Sequence, residues 1–86
     1  MSQPSITITV KLFAAYQEAY KLSELVLEFP TQTRVAAVLE NIIAQHPELN
    51  QWRNLTRFGV NLRFVEPDTL LKDGDEVVLI PPVSGG

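Results

Sequence analysis

The sequence predicts an α+β fold, a mixed sheet of four to five strands with one main helix packed on one face. Three observations predict it. Residues 5–13 and 24–29 alternate apolar and polar side chains, residues 35–43 repeat apolar side chains at helical spacing, and residues 76–80 form an apolar run closed by Pro81-Pro82. A period of two marks a strand with one buried face, and spacing at i, i+3, i+4 and i+7 marks a helix with one buried stripe.

The first strand runs from Ser5 to Phe13. Ile6, Ile8, Val10 and Leu12 form its inward set, while Thr7, Thr9, Lys11 and Phe13 point the other way. Phe13 is the aromatic exception on that polar side, either a filler at the strand end or a contact for a partner. Residues 14–23 form a linker whose conformation no pattern fixes. Glu24 to Phe29 alternates again, with Leu25, Leu27 and Phe29 inward. Pro30 cannot donate to a ladder and closes the second strand.

The main helix follows. Val35, Val38, Leu39, Ile42 and Ile43 fall on one stripe, about three turns long. Thr33 is the expected N-cap, with Thr31 as the competing choice, because a hydroxyl there can accept a free N–H of the first turn. Pro47 ends the helix and leaves His46 at its C-terminus, a structural or solvated position. Glu48 to Asn54 reads as a turn or a short helical piece in which Trp52 closes one edge of the core, a role favoured over ligand stacking because no second aromatic lies nearby.

Phe58 to Val65 reads as one or two short strands with Asn61 as the turn between them. In Lys72-Asp73-Gly74-Asp75, Gly74 supplies a positive φ and Asp73 bonds its own backbone. Asp73 and Asp75 are therefore read as turn formers rather than as a catalytic pair. Glu76 to Ile80 is the last strand. A hairpin, a helix and then further strands give the β-grasp arrangement, with the first and last strands as parallel neighbours near the sheet centre. Residues 1–80 form this domain, and residues 81–86 form a flexible tail ending in Gly-Gly.

Val77, Val78, Leu79 and Ile80 do not alternate, as expected of a strand covered on both sides. One helix covers one side. The other is read as a partner-docking face made by Phe13, Val78 and Ile80, against the alternative of a tolerated apolar run.

Composition narrows the function. The chain has 86 residues, no cysteine, one histidine and a net charge of −3. No basic run exists to neutralise phosphates, so nucleic acid is not an expected partner. No apolar run approaches the ~20 residues of a membrane span, and Met1-Ser2-Gln3-Pro4 does not open a signal peptide, so the expected location is cytoplasmic and no membrane partner is expected. With no thiol and a single imidazole, no metal site and no bound cofactor are expected.

The chemistry is expected at the C-terminus. Pro81 and Pro82 remove two donors and direct the chain out of the sheet. Six extended residues, 81–86, reach about 20 Å. Glycine at positions 85 and 86 lets bare backbone pass along a narrow channel in another protein. The tail then delivers a carboxylate. Once activated as an acyl-adenylate, it can accept sulfur to become a thiocarboxylate, or an amine to become an amide.

The ending from Asp73 through Pro81-Pro82-Val83-Ser84-Gly85-Gly86 resembles the C-terminus of the MoaD/ThiS family of ubiquitin-like sulfur carriers, and within that family it is most similar to the small subunits of molybdopterin synthases. Val60-Asn61 and the opening strand sit where the family has them. The resemblance implies a non-catalytic protein whose Gly86 is adenylated by an activating enzyme using ATP and then thiocarboxylated. It implies a tail, Pro81 to Gly85, that threads into a molybdopterin synthase large subunit, where sulfur passes to the pterin precursor of the molybdenum cofactor. The stretch Arg57 to Phe64, with Asp68 to Asp75, is instead more similar to carriers that feed cysteine biosynthesis. Sulfur delivery to cysteine or thiamine, a protein modifier joined through Gly86 to lysine, and an interaction domain with an inert tail therefore remain as alternatives.

Overall fold

The computed structural model describes residues 4–82. Five strands are present: β1 (Ser5–Leu12), β2 (Glu24–Pro30), β3 (Arg57–Val60), β4 (Arg63–Val65) and β5 (Glu76–Ile80). Their order across the sheet is β2-β1-β5-β3-β4, with β1 and β5 parallel and every other pair antiparallel. The last strand is thus the central one, beside the first, as the sequence predicts.

The main helix, α2 (Val35–Gln45), buries Val35, Val38, Leu39, Ile42 and Ile43, the five stripe residues. They pack on Ile6, Ile8, Val10 and Leu12 of β1, Val77 and Leu79 of β5, and Phe58 and Val60 of β3. Leu25, Leu27 and Phe29 of the edge strand β2 are half-buried against the same core. Burying one such aliphatic side chain stabilises the fold by roughly 1.5–3 kcal/mol. The set must hold the chain without any disulfide.

Three local expectations are corrected. The linker 14–23 contains a second helix, α1 (Ala14–Tyr20), ended by Lys21 in the left-handed conformation. Seven residues are too few for propensity alone to hold a helix. Burial of Tyr16 and partial burial of Ala15, Ala19 and Tyr20 against the core hold this one.

Second, neither Thr33 nor Thr31 is the N-cap of α2. Arg34 occupies that position and makes no side-chain cap bond. The Thr33 hydroxyl donates back to the Pro30 carbonyl at 2.7 Å. The free N–H groups of Val35 and Ala36 reach the carbonyls of Thr69 (2.8 Å) and Pro67 (3.0 Å) instead. A loop more than thirty residues away thus satisfies donors that a local hydroxyl was expected to satisfy.

Third, Asp73 does not bond within its own turn. Its Oδ1 accepts the Thr7 backbone N–H at 2.7 Å, and Gly74 donates to the Thr7 carbonyl at 2.8 Å, which latches the turn onto β1. Asp75 does the local work, accepting the Lys72 N–H at 2.8 Å and the Asn61 side-chain amide at 2.8 Å. Gly74 has φ +85°, the left-handed position expected of it. Asn61 and Leu62 both carry positive φ, as a two-residue hairpin turn between β3 and β4 requires.

Candidate functional site

The sheet has one covered face and one open face, and β5 contributes to both. Val77 and Leu79 are buried beneath α2; Val78 and Ile80 point outward and are half-buried. Register places Lys11 and Gly59 on either side of Val78, and Arg57 beside Ile80. Gly59 in turn faces Phe64 of β4, which is 74% exposed. A Cβ on Gly59 would lie 3.5 Å from the Val78 Cβ, and the register places Val78 and Phe64 on the same sheet face, on either side of this glycine. On the other flank, Lys11 Nζ is 2.7 Å from Glu24 Oε1. That hydrogen bond and the charge of Glu24 hold the Lys11 ammonium above its usual range.

At the end of β5 the chain meets the start of α1. Phe13 is extended and 48% exposed, one residue beyond the Leu12–Leu79 pair, and so lies level with Ile80. A groove of about 420 Å³ opens there. Its walls are Phe13, Ala14, Ala15 and Glu18 at the start of α1, Trp52, and Ile80, Pro81 and Pro82 along the outgoing chain. Pro81 is buried and Pro82 half-buried, so the described base of the tail rests against the domain.

Trp52 belongs to a 3-10 segment, Pro47–Leu55, that follows α2. It is half-buried against the core, as predicted, and its other side faces the groove. A buried polar chain fixes it. The Thr56 hydroxyl donates to the Trp52 carbonyl at 2.8 Å, which leaves the Tyr16 hydroxyl to donate to Thr56 Oγ1. Burial raises the Tyr16 phenol above its ordinary range, with the Thr56 contact working against that rise.

The predicted docking residues are therefore divided. Phe13 and Ile80 share the groove with Pro81 and Pro82, and Val78 lies on the sheet face outside it. Val83, Ser84, Gly85 and Gly86 lie outside the described residues. The sequence places Trp52 at one edge of the core and marks neither Phe64 nor Glu18 as a contact. Glu18 and Trp52 meet the end of β5 at the groove through tertiary contacts that leave no local signal. Among the described residues no cluster of three metal-ligating side chains occurs, and no helix is long and apolar enough to cross a membrane.

The sequence pattern of the ThiS family matches residues 10–86, through the terminal glycines. The chain is 38% identical to the molybdopterin synthase sulfur carrier subunit of Chlamydomonas reinhardtii over 92% of this chain and 98% of that one. A Pyrococcus furiosus structure, provisionally named molybdopterin converting factor subunit 1, is 30% identical, superposes with a TM-score of 0.77, and covers 91% of this chain and 99% of its own. The small archaeal modifier protein 1 of Methanosarcina acetivorans is 28% identical, with a TM-score of 0.74 and coverage of 95% and 98%.

Proposed function

The chain belongs to the ThiS family, a group with the ubiquitin-like β-grasp fold, and from that membership we propose that it is a non-catalytic sulfur carrier acting through the Gly86 carboxylate. The observation that carries the reading is the family match running to Gly86 itself, from a tail rooted at the central strand of the sheet. The 38% identical relative, named as a sulfur carrier subunit of molybdopterin synthase, supports molybdopterin synthesis as the destination.

The steps follow from acyl chemistry. An activating enzyme joins the Gly86 carboxylate oxygen to the α-phosphorus of ATP and releases pyrophosphate. A sulfur nucleophile attacks the carbonyl carbon, the C–S bond forms, and AMP leaves with the former carboxylate oxygen. If the nucleophile is a persulfide, a thiol then reduces the acyl disulfide and frees the thiocarboxylate. Within a synthase large subunit the thiocarboxylate sulfur attacks a carbon of the pterin precursor and an oxygen leaving group departs from that carbon. Water then cleaves the acyl–sulfur bond, which leaves the sulfur on the pterin and returns Gly86 to a carboxylate. No side chain of this protein takes part in bond making. Its contribution is to root the tail at Pro81 and to dock through Phe13, Val78 and Ile80.

The test is reconstitution. With activating enzyme, ATP and a sulfur donor, the protein should release pyrophosphate and gain the mass of one oxygen exchanged for sulfur. A chain lacking Gly86 should do neither. Failure of the full-length chain to form the adenylate with any activating enzyme would contradict the reading. The 28% identical archaeal modifier favours a second one, amide attachment of Gly86 to lysine, which would appear as branched peptides ending in Gly85-Gly86.

A further inference from the structure

Of the eight residues lining the groove at the base of the tail, seven are uncharged and the eighth is Glu18. Glu18 is exposed and forms no salt bridge among the described residues. The groove's volume, about 420 Å³, lies within the ~300–1,000 Å³ span of clefts that hold small ligands. Ala14 and Ala15 leave it open beside α1, and Trp52 and Phe13 supply two aromatic walls.

Two features identify an occupant. The first is reach. From Pro82 to Gly86 is four residues, at most about 14 Å when extended. A protein that draws Gly86 into an active site must therefore bring its own surface up to this groove. The second is charge. A lone carboxylate at the edge of an apolar groove favours an apolar side chain with a cation next to it, and disfavours an acidic neighbour. The buried bonds from Tyr16 to Thr56 and from Thr56 to the Trp52 carbonyl hold one wall in place before any partner arrives. Rigid, pre-placed aromatic walls are typical of sites that dominate binding energy.

We propose that this groove is an anchor site on the tail-receiving protein's docking path, taking one apolar side chain of that protein while Glu18 pairs with a lysine or arginine beside it. The proposal rests on the carrier reading and adds to it a site, formed by Trp52 and Glu18, that sequence reasoning did not assign.

Trp52 is the single tryptophan of the chain. Full-length protein labelled with fluorotryptophan therefore gives one fluorine NMR signal that reports the groove alone. Titration with the molybdopterin synthase large subunit from the same source should shift that signal. Glu18→Lys should weaken binding by about tenfold or more with an unchanged melting curve, and Glu18→Gln should weaken it less and flatten its salt dependence. Binding with an unmoved Trp52 signal, or with unchanged affinity in Glu18→Lys, would overturn the anchor while leaving the carrier reading intact. A signal that moves in the free chain when residues 83–86 are deleted would assign the groove to the tail itself. A signal that moves with protein concentration would assign it to a second copy. Either result overturns the proposal. Loss of large-subunit binding together with failure of Gly86 to gain sulfur would remove the carrier reading and the anchor with it.

Discussion

The Tyr16 hydroxyl bonds to the Thr56 hydroxyl in the core, linking residues forty positions apart and tying α1 to the end of the 3-10 segment. Thr56 then spends its single proton on the Trp52 carbonyl. The two substitutions at this link should differ. Tyr16→Phe removes one donor and leaves Thr56 bonded to Trp52, a loss of about 1 kcal/mol. Thr56→Val strands the buried phenol without an acceptor and should cost about 1–3 kcal/mol. Urea unfolding of both variants measures the difference, and the order should be Thr56→Val below Tyr16→Phe.

The same phenol predicts an alkaline limit. Burial raises the Tyr16 pKa above the ordinary 10.0, so the folded state holds its proton where the unfolded chain has lost it. The contribution is fully present below about pH 10 and falls as pH rises from there through the folded value. Tyr20, also raised chiefly by burial, adds a loss of the same sign. Urea midpoints taken across that range should decline in the native protein and decline less steeply in Tyr16→Phe.

The Asp73 latch makes a third prediction. Asp73→Ala removes the acceptor of the Thr7 N–H and should lower stability by about 1–2 kcal/mol, a charge-assisted bond discounted for its exposed position. Asp73→Asn keeps an acceptor oxygen and should recover most of the loss. Thermal unfolding of the pair provides the check.

Two glycines should respond in opposite ways to alanine. Gly74 has open space around a would-be Cβ but a φ of +85°, so Gly74→Ala should cost about 1–2 kcal/mol through the backbone. Gly59 lies in a strand, and its added Cβ would meet neighbours at 3.5 Å, ordinary contact. Gly59→Ala should be neutral or slightly stabilising in the same melt.

The docking face can be tested at one position outside the groove and one inside it. Val78 lies outside the groove on the open sheet face, and Phe13 lies in it. Val78→Lys and Phe13→Asp should each weaken large-subunit binding in calorimetry while leaving the circular dichroism spectrum unchanged. Unaltered affinity in both would remove this surface from the interface.

The long elements were legible because their spacing repeats. The β1 alternation and the α2 stripe each bury the residues the sequence marks, and the unbroken run Val77 to Ile80 correctly identifies a strand with two apolar sides. What escaped was set by distant contacts. The α1 helix was hidden because seven residues with no capping side chain give little local signal, although Tyr16, Ala19 and Tyr20 do fall at helical spacing. The cap of α2 was misassigned because backbone carbonyls of Pro67 and Thr69 replace a side chain. Asp73 was misassigned because its partner is Thr7, sixty-six positions away. The groove depends on three elements meeting, so the sequence places Trp52 at the core edge but not in one groove with Ile80.

The central claim is that Gly86 carries sulfur as a thiocarboxylate, and intact-mass analysis of the protein purified from its native host tests it most directly. The account predicts a population heavier by one oxygen-to-sulfur exchange, mapped to the C-terminal peptide and absent when Gly86 is deleted. A native protein that is entirely carboxylate, or is found only as amide-linked Gly86 on lysines of other proteins, would contradict it.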